Sequence, residues 1–471
     1  MKQQQSKKVD NKVTIRRKDK HVPILIEELI DYYGFGKHTI KMVFLLSCVC
    51  FAYGALTNIL ANVILINWAC EPGDRADEPQ LVWATLCIGL ALGSFYFGWL
   101  ADRYGRKLMI AVTTTLSLYF TLLLCASESH FDALLILFFT ASGLSGGRII
   151  SNYSAESFPV KHRARIQTVL GLSSSLGSVV YSYLAYTQRL GWRHFTLTAS
   201  APLIVFIVIP FWLPESIPYL QMTGNEDELY RVFQHLAESH GKNLKRRTLL
   251  TARTIKNRGN LPTLFSKSTI CGTLIVMLLW ATSRLSMSVS TVLHYNTIVF
   301  NKTTCPENQV DILQSLSFKE VLNCKHSSDV FYVSFIGSLA ESIGLAITFI
   351  FINHVSRRFA FICLLLINSA GFIAMNICSV ATIHTALVLI TMATSASFFQ
   401  VLCIFTNEFY HASVRCTATG MFNFISLLAL VLIPILISLS FALTPIVVTV
   451  FFVSFAVLCC FGLWWTRIKT T

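Results

Sequence analysis

Charge is what this sequence has least of. Only 13% of its 471 residues are Asp, Glu, Lys or Arg, against roughly 25% in an ordinary soluble domain. So few charges cannot cover the water-facing surface of a chain this long, which excludes a soluble globular protein. The period-2 alternation of a membrane β-barrel is also missing. There is no Gly-rich phosphate loop, no nucleophile elbow and no H-E-x-x-H metal spacing, so nothing points to an enzyme, a metal site or a bound cofactor. Residues 1–20 are basic, but the acids in "ILIEELIDYYGFG" interrupt any leader-like apolar run, and the first span is expected to act as a signal anchor.

What is present is apolar. Hydrophobic residues make up 54% of the chain, Phe alone numbers 35, and the mean hydropathy is +0.59. A spanning helix needs about 20 mostly apolar residues. Candidates lie at 42–66, 80–100, 108–127, 132–154, 166–188, 194–213, 270–293, 330–352, 359–379, 384–406, 417–439 and 443–465. The expected fold class is an all-α membrane protein with twelve transmembrane helices.

The net charge of +14 follows this topology. Of 38 Lys and Arg, 30 fall on one side of the predicted membrane, six on the other, and two (Arg148 and Arg284) inside predicted spans. The positive-inside rule then places both termini in the cytosol. The basic balance is topological and calls for no nucleic-acid partner. Most of the 14 cysteines lie within spans, as small apolar filler. Cys70, Cys305 and Cys324 fall in loops on the opposite, oxidising side. Cys305 and Cys324 share one loop and can pair, which leaves Cys70 over unless it replaces one of them. The same loop carries Asn301 in an "NKT" glycosylation acceptor.

The second half repeats the first. "ESFPVKHR" holds Glu156 and Arg163, and "EFYHASVR", 252 positions later, holds Glu408 and Arg415. "ADRYGRK" has its echo in "INHVSRR", with Asp102 against Asn353. Six spans precede the polar segment 214–268 and six follow it. Two parallel six-helix halves related by an axis along the membrane normal are expected. The division is a tail at 1–40, bundles at 41–213 and 269–466, a linker at 214–268 and a tail at 467–471. In the linker, "NEDELYRVFQHLAESHG" reads as an amphipathic helix capped by Asn225 and stopped by Gly241.

On these motifs the chain resembles the major facilitator superfamily. "GWLADRYGRK" matches the family's loop signature at every defined position, through Gly98, Asp102, Arg103, Gly105, Arg106 and Lys107. "LPESIPYL" at 213–220 is similar to the motif after helix 6 in sugar and organic-ion carriers. With "IEELIDYYGFGK", "GW" at 191–192 and "TGN" at 223–225, it resembles the synaptic-vesicle-2-related branch, beside the organic cation and anion transporters. The resemblance implies that the 102–107 loop belongs to a cytoplasmic latch, with Asp102 facing the positive N-terminus of a helix in the other half. It also implies a small-molecule solute as partner, a protein functional as a monomer, and residence in the plasma membrane or an intracellular vesicle membrane. Three features depart from the pattern. Asn353, His354 and Ser356 replace the acid, base and glycine of the second loop. Leu137 stands where helix 4 usually carries an arginine, and Tyr53 and Leu56 stand where relatives carry helix-1 acids.

Arg148, Arg284 and Glu341 fall inside predicted spans. A charge near a helix centre costs roughly 2.5–3.5 kcal/mol on insertion scales, so all three are expected to face the interior. Gln400 is the repeat equivalent of Arg148. Arg284 and Glu341 either pair with each other or meet a substrate, and Trp280 and Tyr53 are candidates for stacking on one. These six are the substrate-cavity candidates. The expected function is transport of a small organic solute, organic ions included, by alternating access. The alternative is a ligand-binding or interaction protein on a carrier fold that does not transport.

Overall fold

The computed structural model describes residues 30–31, 34–63, 78–188, 191–207, 209–239, 258–266, 269–299, 327–375 and 381–431. Among the described residues there is no strand. The first half contains α1 (Lys37–Asn58, continued as a π turn over Ile59–Val63), α2 (Glu78–Tyr104), α3 (Arg106–Ala126), α4 (His130–Leu144), α5 (Gly147–Ser157), α6 (Val160–Thr187) and α7 (Trp192–Ser200). Two short helices follow, α8 (Ile217–Thr223) and α9 (Glu226–Ser239). The second half contains α10 (Ile270–Val299), α11 (Ser327–Phe351), α12 (Arg357–Met375), α13 (Ala381–Phe409) and α14 (Arg415–Val431).

Seven helical stretches among the described residues are long and apolar enough to cross a membrane, one of them His130–Ser157, which α4 and α5 make up together, and Phe359–Met375 and Arg415–Val431 are shorter apolar helices. The predicted span 443–465, Cys70, Asn301, Cys305, Cys324 and the Gly241 stop lie outside the described residues. The predicted span 132–154 is not one helix: it breaks at Ser145–Gly146 into α4 and α5.

Local chemistry sets the ends. Ser129 accepts a hydrogen bond from the amide of Asp132 at 3.2 Å and caps α4. Asn225 and Glu228 form a reciprocal cap at the start of α9, with the Glu228 amide donating to Asn225 Oδ1 at 3.3 Å and Asn225 Nδ2 donating to Glu228 Oε2 at 2.8 Å. α9 then buries Leu229, Phe233 and Ala237, spaced four apart, against Ile217 and Leu220 of α8. Buried hydroxyls inside the spans are satisfied by carbonyls one turn back, as in Thr113 to Met109 O (2.8 Å), Thr121 to Ser117 O (2.6 Å) and Thr406 to Leu402 O (2.7 Å). Polar side chains can therefore line apolar helices without an orphaned donor.

Two large cores form, one in each half. One gathers Leu46, Val49, Leu56, Ile110, Leu137 and Tyr153; the other gathers Val276, Trp280, Phe361, Leu402, Phe405 and Phe422. The halves meet along two seams. α2 packs on α14, where a Cβ at Gly98 would lie 2.5 Å from the carbonyl oxygen of Cys416, so only glycine lets the helices approach so closely. α6 packs on α11 through small hydroxyls: Ser175 to Ser342 is 2.6 Å and Ser182 to Ser334 is 3.1 Å. Asn58 Nδ2 on α1 also donates to Ser334 at 3.2 Å.

Candidate functional site: a charged latch and two arginines between the halves

The α2–α3 turn is forced by Gly105, whose φ of +113° is a conformation side chains rarely adopt. The turn points Asp102 across the interface. Its Oδ2 accepts from both the amide and the hydroxyl of Thr417, each at 2.7 Å, and Oδ1 lies 3.4 Å from the amide of Cys416. These groups belong to the first turn of α14, so a carboxylate from the first half caps a helix of the second, where the helix dipole favours negative charge.

Arg106, one turn after Asp102, donates to Asp102 Oδ1 at 2.9 Å. It also donates to Glu156 Oε1 at 3.2 Å, and its Nε lies 3.0 Å from Glu156 Oε2. It reaches the other half by donating to the carbonyl of Ala412. Arg415 closes the circuit from the second half, Nη1 to Glu156 Oε1 at 3.1 Å. Asp102, Arg106 and Glu156 are 0%, 0% and 1% exposed. Two carboxylates and two guanidiniums thus neutralise one another, as buried charges must.

The "PES" motif serves this cluster. Glu215 caps α3, accepting from the amides of Arg106 (2.9 Å), Lys107 (3.2 Å) and Ser216 (2.9 Å). Burial pushes its carboxyl above its ordinary value, an effect partly offset by those amides and by Arg106. The Ser216 hydroxyl donates to Glu156 Oε2, and the Tyr153 hydroxyl donates to Pro214 O at 2.9 Å. Glu215, Ser216 and Thr417 are members that the sequence reading did not assign to the latch. Glu215 and Ser216 were visible as a motif, but without their target.

The second copy is looser. Glu408 meets Arg357 of its own half at 3.4 Å, with both side chains partly exposed. Asn353, standing where Asp102 has its echo, donates from Nδ2 to Lys161 O at 3.3 Å rather than accepting from the helix amides. Arg103 lies over the Trp99 ring at 4.0 Å, outside the buried network.

Deeper between the halves lie the predicted intramembrane charges. The break at Ser145–Gly146 starts α5 one residue before Arg148. That guanidinium donates to Cys403 Sγ at 3.2 Å and lies 4.9 Å from the Phe399 ring centroid. Arg284, from α10, lies 4.1 Å from the same ring and donates to Asn423 Oδ1 at 3.4 Å. One ring therefore has two guanidiniums as neighbours, one from each half. Arg284 and Glu341 do not form the direct ion pair that was one expectation: the guanidinium turns to Phe399 and Asn423 and feels Glu341 only through space. Gln400 donates to Gln167 O at 2.9 Å, tying α13 to α6. Tyr53 and Trp280 are in packed core rather than free to stack. Tyr53 lies 3.2 Å from Thr114 Oγ1, while Trp280 donates to Thr406 at 3.1 Å and abuts Phe399 edge-on at 5.2 Å. Phe399, Cys403 and Asn423 are the neighbours that sequence alone did not reveal.

The profile of the Major Facilitator Superfamily matches residues 42–304. The chain belongs to the major facilitator superfamily. Synaptic vesicle 2-related protein of Xenopus laevis is 24% identical over 444 residues, covering 93% of this chain and 80% of that protein. Organic anion transporter 3 of Oryctolagus cuniculus is 27% identical over 199 residues, covering 40% of this chain and 35% of that one. Among solved structures, the proton:xylose symporter XylE with bound 6-bromo-6-deoxy-D-glucose superposes with a TM-score of 0.60 at 14% identity, covering 90% of this chain and 95% of XylE. The major facilitator fold is thereby shown. The chain is a multi-pass membrane protein of a transporter superfamily, not an enzyme.

Proposed function

We propose that this major facilitator protein carries a small organic ion by alternating access. The supporting observation is the division of polar groups between the halves. The Asp102–Arg106–Glu156–Arg415 cluster fastens one end of the interface, while Arg148 and Arg284 bring one cation from each half to a point farther along it. In this reading residues 41–213 and 269–466 are the two moving bodies, joined by the 214–268 linker. The latch holds the cytosolic end closed, and releasing it admits the solute from that side. The protein acts as a monomer, with both termini in the cytosol and Asn301 on the opposite side. The similarity to synaptic vesicle 2-related protein favours a vesicle membrane, and that to organic anion transporter 3 favours an ionic solute.

The test is uptake by the purified full-length protein in liposomes. Solute accumulation above protein-free liposomes supports the carrier reading. Binding of a solute without uptake would favour a non-transporting protein on the same fold.

A further inference from the structure

We infer that Arg148 and Arg284, flanking Phe399, form a binding site for a carboxylate-bearing organic monoanion that bridges the two halves. This rests on the carrier reading for its purpose, but not for its chemistry. An arginine has five N–H donors and no acceptor. Arg148 has found a thiol, a weak acceptor, and Arg284 a single long bond to an amide oxygen. Arg284 Nε is buried with no hydrogen-bond partner. Neither guanidinium has a carboxylate in direct contact among the described residues, in contrast with the latch, where Arg106 and Arg415 both do. Two like charges sharing one aromatic neighbour in a low-dielectric setting require a counter-charge.

The stoichiometry follows from Glu341. It is the acid that Arg284 feels through space; when ionised it offsets one of the two positive charges and leaves one for the ligand. The planar guanidinium fork matches a carboxylate bidentately. The apolar wall of Phe399, backed edge-on by Trp280, suits an organic body rather than a bare inorganic ion. Because Arg148 rides on α5 and Arg284 on α10, the bound anion touches both bodies, and its affinity depends on how they are set.

The experiment uses the full-length protein in detergent, with sodium benzoate as probe and thermal stability as readout at matched ionic strength. Benzoate is expected to raise the melting temperature in a saturable way, whereas benzamide, benzylamine and sodium chloride are not. Arg148→Gln and Arg284→Gln should each weaken apparent benzoate affinity at least tenfold. Glu341→Gln should strengthen it, a direction that general damage to the fold does not produce. Should Arg284→Gln fail to fold, Arg284→Lys keeps the charge and loses the fork, and is expected to weaken affinity as well. Equal stabilisation by benzamide, benzylamine or chloride would overturn the proposal. So would benzoate affinity unchanged in the arginine variants, or no stabilisation by acetate, benzoate or decanoate. Benzoate binding that survives while liposome uptake fails would remove the carrier reading and leave the anion site standing; uptake of a neutral or cationic solute without carboxylate binding would do the reverse.

Discussion

Replacing Asp102 with Ala removes the one carboxylate that caps α14 from the other half. Four contacts go at once: the two to Thr417, the long one to Cys416, and the pair with Arg106. If the buried network could not relax, leaving Arg106 short of a partner would cost about 3–5 kcal/mol. An opening latch does relax, because water reaches the same charges. The difference between closed and open states is then nearer the ~2 kcal/mol of a partly buried charge at a helix end, which is roughly a 30-fold shift in the ratio of the two states. Cys416 is a native reporter, since it lies directly behind Asp102 and is 1% exposed. Its labelling by N-ethylmaleimide, resolved from the other cysteines by mass spectrometry, should be slow in the wild type and faster by about that factor in Asp102→Ala. Unchanged labelling, with an unchanged melting temperature, would refute the idea that this carboxylate holds the end shut.

Other outcomes follow from the same geometry. Gly98→Val should lower the melting temperature, because its Cβ would press on the Cys416 carbonyl and overpacking of this kind costs about 1–3 kcal/mol; wild-type stability in that variant would contradict the close α2–α14 crossing. His411 is held below its ordinary 6.5 by partial burial and by the Arg415 and Arg106 charges, against the pull of Glu156. A depressed folded value means its contribution to stability is complete above pH 6.5 and is lost as pH falls through the folded value. Acidification from pH 7 should therefore destabilise the wild type more than His411→Asn, and equal pH profiles for the two would count against it. Glycosidase should change the gel mobility of the wild type but not of Asn301→Gln if residue 301 faces away from the cytosol; accessibility of the 297–328 region from the cytosol would contradict the topology.

Much of this was legible before any coordinates. Apolar runs of spanning length are a local signal, and several described spans follow them: the run 80–100 lies within Glu78–Tyr104, and 384–406 within Ala381–Phe409, whereas the run 194–213 is divided into Trp192–Ser200, a 3-10 stretch over Ala201–Ile207 and the short helix Ile209–Trp212. The latch was legible because a glycine-flanked burst of charge between two such runs must serve the turn, and its match to a family signature supplied the target of Asp102. What stayed hidden was long-range. Nothing near Glu215 in sequence says that it caps a helix beginning at Arg106. The Ser145–Gly146 break passed as an ordinary small-residue stretch, because hydropathy averages over a window and does not sense a local loss of helix hydrogen bonds. Arg284 was offered an acid on the neighbouring span as partner; instead its guanidinium lies against Phe399, one of many phenylalanines that composition cannot tell apart.

Counterflow tests alternating access through the arginine pair most directly. Liposomes containing the purified protein are preloaded with unlabelled benzoate and diluted into a trace of radiolabelled benzoate at equal pH. A carrier that alternates between two sides accumulates label transiently, so a rise and decay are expected in the wild type and are lost in Arg284→Gln. A wild type that binds benzoate but traces the same curve as protein-free liposomes would contradict it.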